Sequence, residues 1–441
     1  MLSDIFEKVT VVERDALPTT PVARKGVPQS EQLHALMPLG ADLLEELFPG
    51  WRAEMDEHGC PTVDEVRDAL YWTAYGWRAR GESDVALLGF TRTLLEHVVR
   101  DRVRGLPNVE FRVGAASGLA TTPDRTRVTG VKVGHDVLEA DLVVDASGRG
   151  SQAPKWMESI GYERPEEMHV RVYMGYASRL VRLPAGAIPG GAAAIGAMPY
   201  PGANRGGAIL GQEGGLHKVI AAGMMKEYPP GDEQGFIDFL GDSPIPFLRE
   251  VVLKSEPVGE IKTYRMPGNQ RRLWERLERQ PRGFIVTGDA VGSYNPIYGQ
   301  GMTIAAHGAI VLRDLLARLD GALDQLPELF QAKVGEAVEW AFSSASALDT
   351  SYAGAELENI PEIDQEDAEY YVHLEELATA DHTICRAIDR SFGYMEPELL
   401  VSAEVKAKVA AWVASGRKLQ NTDPLTPPPV SSAVPQRPPA T

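Results

Sequence analysis

Cysteine is nearly absent from this 441-residue chain: Cys60 and Cys385 stand far apart and match no metal-ligand spacing. That excludes a disulfide scaffold and suits reduced thiols in a cytoplasmic protein. The nine histidines show no ligand-like pairing, so no metal site is expected. Positive charge is short too, with 44 Lys and Arg against 62 Asp and Glu and a net charge of −18. Such a balance disfavours nucleic acid or an anionic membrane as partner, because both would be repelled. No run of about 18 apolar residues occurs, which argues against a membrane-spanning helix and membrane insertion. Asp4, Glu7 and Lys8 interrupt the amino terminus where a signal peptide would be apolar. Neither a P-loop nor a G-x-S-x-G segment is present, and acid pairs such as Glu45-Glu46 read as solvated helix faces.

What the chain does have is concentrated in Gly283–Met302. Gly283–Thr287 (G-F-I-V-T) is apolar without alternation, as a parallel strand covered on both faces would be. Gly288-Asp289 follows, then a loop with Pro296. Gly299-Gln300-Gly301 then opens a helix carrying Ile304, Ile310, Leu312, Leu315, Leu316 and Leu319 at helical spacing. An acid at a strand tip beside a glycine-rich helix start suits a ligand with hydroxyls and an anion-forming group.

Other segments order themselves around this one. Leu2–Glu7 reads as the end of a helix, and Val9–Glu13 (V-T-V-V-E) as a β-branched strand ending in an acid. Leu33–Phe48 and Thr91–Arg102 have helical periodicity. Val109–Val113, Val128–Val133 and Leu142–Val144 look like strands, the first two joined as in a hairpin. Met168–Leu183 alternates as a half-exposed antiparallel strand, glycine-rich strands follow to about Gly223, and Glu260–Met266 adds another. Beyond Met302 the pattern is helical to about Lys418, and the Pro-, Ser- and Thr-rich residues 420–441 are expected to be disordered.

Three further motifs carry chemistry. Glu13 stands where a dinucleotide-binding unit places the acid that accepts ribose hydroxyls. Arg24, in R-K-G-V-P-Q, and Arg92, at the helix start G-F-T-R-T-L-L, can each offer a guanidinium fork to a pyrophosphate or ribose. Asp141–Ser151 (D-L-V-V-D-A-S-G-R-G-S) runs a strand into a glycine turn.

Together these motifs, from Val9 to about Leu319, resemble the FAD-dependent monooxygenases related to para-hydroxybenzoate hydroxylase, most closely actinobacterial hydroxylase-like or epoxidase-like members. The resemblance implies an α/β fold: a Rossmann-like, glutathione-reductase-like FAD-binding domain in residues 1–165 and 260–320. It implies an antiparallel β-sheet substrate domain inserted at 166–259 and C-terminal helices over 321–419. FAD is the expected cofactor and NAD(P)H the electron donor. The activity implied is hydroxylation or epoxidation of a small hydrophobic or aromatic metabolite, with dioxygen delivered through a flavin C4a-hydroperoxide. Glu13, Arg24 and Arg92 would hold the adenosine and pyrophosphate side. Asp289 would bind ribityl or phosphate-side hydroxyls. Gly299, Gln300 and Gly301 would offer backbone N–H groups to the flavin N1–C2 edge, and Pro296 would lie over the ring face as the residue nearest the chemistry.

The chain departs from the family in two places. Ser147-Gly148 replaces the Asp-Gly of the hydroxylases, a form familiar in halogenases and prenyl reductases of the same fold; the halogenases' W-x-W-x-I-P segment does not occur. The opening strand and G-x-G-x-x-G turn of the family also have no counterpart. The expectation is that Met1 is an internal methionine of a longer product. The alternatives are a non-catalytic remnant and, for the chemistry, a flavin-dependent reductase of isoprenoid-type double bonds. Substrate and oligomeric state are not legible.

Overall fold

A computed structural model describes residues 1–362 and 365–431. The strands expected to share one parallel sheet form two separate parallel pairs. Val9–Glu13 pairs in register with Val109–Val113, and Val143–Asp145 with Phe284–Val286. The second pair joins segments on either side of the inserted strands, but the two pairs do not share one sheet. Val128–Val133 belongs elsewhere: it lies antiparallel between Ala116–Thr121 and Asp136–Glu139. The hairpin expected between 109–113 and 128–133 is therefore not formed. Val109–Val113 finds its partner in the β-branched Val9–Glu13 instead.

A nine-stranded sheet is built around two long strands, Glu167–Arg182 and Glu256–Arg272, which run antiparallel. The boundary expected between 259 and 260 falls inside the second strand, which pairs with Glu167–Arg182 along its whole length. The sheet continues through His217–Gly223, Arg205–Gly211 and Ala194–Ala197 to Ala69–Thr73. Ala69–Thr73 comes from the region before the insertion and pairs parallel with Ala194–Ala197. Helices Glu233–Gly241 and Phe247–Leu253 cover this sheet, placing Phe236, Phe239, Leu248 and Val251 against Val219 and Ile209.

The helix Gly301–Leu319 packs against Leu326–Asp349, and both bury their apolar faces on Phe284–Val286. Gln365–Leu377, His382–Phe392 and Ala403–Ala414 form a separate cluster around Leu374, Ile384, Ile388 and Trp412. The disorder expected for 420–441 does not hold for 420–431. Trp77 donates its backbone N–H to Asn421 O and its Nε1–H to Asp423 O (both 3.0 Å), and Val430–Ser431 pairs with Arg80–Gly81. The proline-rich composition that excludes helix there leaves an extended chain able to lie along Arg80, which donates to Pro428 O. Residues 432–441 lie outside the described residues.

Candidate functional site

One open cavity of about 3000 Å³ is lined by Glu13, Arg24, Arg92, Asp289, Pro296 and Gly299–Gly301, the candidate site residues of the sequence. At one end Glu13 closes its strand and accepts Arg24 Nη1 at 3.0 Å and the Asp15 backbone N–H at 3.1 Å. Arg24 also donates to Glu96 Oε2 (3.2 Å) and Asp15 Oδ2 (3.5 Å). Burial works against the Arg24 charge, but Glu96 and Glu13 hold its pKa above the ordinary value. Glu13 and Arg24 are thus brought together as expected, although Arg24 is already shared among three protein carboxylates. Arg92 opens the helix Arg92–Arg104, capped by Thr91, and donates Nε to Glu96 Oε1 at 3.1 Å.

At the middle of the cavity the Phe284–Val286 strand delivers Asp289. Its carboxylate accepts no hydrogen bond from any described residue. Burial pushes its pKa up, against the opposing charges of Arg92 and Arg149. The helix that begins at Gly301 stands beside it: a Cβ on Gly301 would lie 3.7 Å from Asp289 Oδ1. The unpaired helix N–H groups, with their positive end, therefore sit next to the acid and open into the cavity. Gly299 adopts φ +69, a left-handed conformation that costs an L-residue about 1–2 kcal/mol. That turn carries the chain from the Pro296–Tyr298 turn into the helix, leaving Pro296 exposed on the cavity wall.

The loop is held from behind by residues that sequence reasoning missed. Asp349, at the end of the Leu326–Asp349 helix and fully buried, accepts Asn269 Nδ2 (2.9 Å), Asn295 Nδ2 (3.0 Å) and Tyr298 OH (2.8 Å). Asn269 in turn accepts the Asn295 backbone N–H at 2.6 Å, and Asn295 Oδ1 accepts Ile297 N–H at 3.1 Å and Tyr176 OH at 3.3 Å. Burial raises the Asp349 carboxyl to about 6 even though three donors pull the other way. Arg149 also escaped the sequence reading, though it ends the S-G-R turn. It donates to Gly268 O (2.7 Å) and Ser293 Oγ (3.2 Å) and adds its charge near Asp289. Asp145 of the same motif caps its own turn, accepting Ser147 N–H at 2.9 Å and the Ser151 hydroxyl. His34 lines the cavity as well. Its Nδ1–H donates to Gln32 O at 3.1 Å, and burial, with Arg92 next, lowers its pKa to about 3. The ring is therefore neutral, with Nε2 an acceptor.

Among the described residues no group of His, Cys, Asp and Glu could hold a metal ion, and no helix is long and apolar enough to cross a membrane.

The architecture is that of flavin-dependent monooxygenases and halogenases. PqsL of Pseudomonas aeruginosa, a probable FAD-dependent monooxygenase, superposes with a TM-score of 0.59 at 17% identity, over 78% of this chain and 89% of that one. The flavin-dependent brominase Bmp2 gives 0.64 at 12% identity over 93% and 92%. A flavoprotein/dehydrogenase from Cytophaga hutchinsonii gives 0.63 at 14% identity over 93% and 94%. No family model matches the chain. It belongs to the same family as Protein Rv3254 of Mycobacterium tuberculosis (strain ATCC 25618 / H37Rv), with 35% identity over 345 residues, 73% of this chain and 71% of that relative.

Proposed function

We propose that this protein is an FAD-dependent monooxygenase that uses NAD(P)H and dioxygen to hydroxylate or epoxidise a small, largely apolar ring compound. The observation that carries this reading is Asp289: a half-buried carboxylate without a hydrogen-bond partner among the described residues, beside an open helix N-terminus, in a cavity large enough for a dinucleotide and a second molecule. Those groups fit FAD, whose hydroxyls would satisfy Asp289 and whose pyrimidine edge would face Gly299–Gly301. When bound, the flavin would supply electron transfer from the nicotinamide and the activation of oxygen.

The side chains would supply position and electrostatics. The helix N-terminus at Gly301, with Arg149 nearby, favours negative charge at the ring edge. Pro296 and the neutral His34 leave the ring face free of competing charge. Asp349 fixes the Asn295–Tyr298 turn in place.

At the pyrophosphate end Glu13, Arg24 and Arg92 would face the adenosine and phosphates, on a cavity wall formed by Val9–Glu13 and Val143–Asp145.

Titrating the purified chain with FAD tests the reading. A yellow complex with NAD(P)H oxidation coupled to oxygen uptake is expected. NAD(P)H oxidation without oxygen uptake would move the assignment to a reductase. Failure to bind FAD would remove the enzyme reading.

A further inference from the structure

On the far wall of the same cavity lies a carboxyl that the flavin reading does not use. Glu65 sits between Thr62–Asp64 and Ala69–Thr73, its backbone N–H tied to Val85 O at 2.9 Å. The residue is 9% exposed. Its Oε1 accepts the Tyr71 hydroxyl at 3.3 Å, and its Oε2 is buried with no partner. The nearby cation is already engaged: Arg78 donates to Asp389 Oδ1 (2.9 Å) and Glu375 Oε1 (3.0 Å), carboxylates from the two C-terminal helices. Glu65 is thus a third carboxyl around one guanidinium. Burial first, then the charge of Asp389, pushes its pKa up to about 8, against Arg78 and the Tyr71 hydrogen bond and with Asp64 adding to the rise. Cys385, beside Arg78, is buried and protonated, its pKa raised by burial.

At neutral pH Glu65 is therefore an uncharged acid. Tyr71 occupies Oε1, so the proton resides on Oε2, and an unpaired buried O–H costs free energy until an acceptor arrives. Apart from Tyr71, Arg78, Glu375 and Asp389, the apolar residues Trp72, Leu87, Ile195, Leu210, Leu374 and Ile388 line the same cavity. This wall reaches the flavin seat. Leu87, Leu210 and Tyr71 pack in one cluster with Met37, and a Cβ on Gly299 would lie 3.5 Å from Met37 Sδ.

We propose that Glu65, set by Tyr71, anchors the substrate by donating a hydrogen bond from Oε2 to a ketone or phenol oxygen of a flat, otherwise apolar ring compound. For the chemistry that follows, this rests on the flavin monooxygenase reading; for binding it does not.

Isothermal titration calorimetry of the full chain with 1-tetralone and 1-naphthol tests it, with naphthalene and 1-naphthylmethylammonium as comparisons. At pH 6.5 the oxygenated rings should bind about tenfold tighter than naphthalene, the worth of one well-made buried hydrogen bond. Glu65→Gln, which keeps an N–H donor in place, should retain that preference, and Glu65→Leu should abolish it. The wild-type preference should fall as pH rises through about 8, where the donor proton leaves, while the Gln variant stays level. Equal binding of the oxygenated rings by the wild type and Glu65→Leu overturns the proposal, as does absence of their binding. A preference for the ammonium ligand that Glu65→Gln removes also overturns it, by making Glu65 a cation site. FAD titration in parallel separates the two readings. Flavin binding with no effect at Glu65 sinks the anchor alone, and the Glu65 pattern without flavin binding sinks the cofactor reading alone.

Discussion

Replacing Asp349 with alanine should disable the flavin seat without touching the cavity lining. The carboxylate is the common acceptor for Asn269, Asn295 and Tyr298, which fix the turn carrying Pro296. Truncation leaves three donors in a buried site. At the low end of about 1 kcal/mol for each unsatisfied donor, the loss is about 3 kcal/mol. Some of this is offset, because the buried carboxylate itself is costly, as its raised pKa shows. If the ordered turn is needed to hold FAD, about 3 kcal/mol corresponds to an affinity loss of about a hundredfold. Asp349→Asn keeps one acceptor oxygen but faces the two asparagine NH₂ groups with a third, so it should recover only part of the loss. Flavin fluorescence quenching gives the affinity, and urea unfolding gives the stability. An alanine variant within threefold of wild-type affinity and within about 1 kcal/mol in stability would refute the argument that this network positions the turn.

The same residue predicts a pH dependence. Its folded pKa, about 6, lies above the ordinary carboxylate value. Its contribution to stability should therefore be fully present below about pH 4 and be lost as pH rises through about 6, a slope that Asp349→Asn should lack. Asp289→Asn should weaken FAD at least about tenfold through loss of a charged acceptor, and unchanged affinity would remove Asp289 from the site. Gly299→Ala should cost about 1–2 kcal/mol from the left-handed backbone, seen as weaker flavin retention on gel filtration. Arg78→Met should destabilise by about 3–5 kcal/mol, because Asp389 and Glu375 would lose their buried cation; a shift under 1 kcal/mol by urea unfolding would contradict that pairing.

Much of the Gly283–Leu319 segment is legible because its signals are local. The buried run Phe284–Val286, the acid after it and the glycines before a periodic helix lie within twenty consecutive positions, so backbone preference and spacing already imply their arrangement. Val9–Glu13 and Arg92–Arg104 were legible for the same reason, a β-branched run and a threonine-capped amphipathic helix. The stretch from Thr62 to Gly89 was not read as strands. Two of its short strands find partners far along the chain, Ala69–Thr73 in Ala194–Ala197 and Arg80–Gly81 in Val430–Ser431.

The site residues divide in the same way. The sequence alone determined which acid stands at a strand end and which glycines open a helix, because both depend on the backbone beside them. The tertiary structure decided what holds and what completes that seat. Asp349 becomes a positioning residue only when the 326–349 helix brings it to Asn269, Asn295 and Tyr298, and Glu65 becomes an unpaired acid only when Asp389 and Glu375 take Arg78 from it. A carboxylate's role depends on its burial and on which donors reach it, and both are properties of packing between segments that no local pattern records.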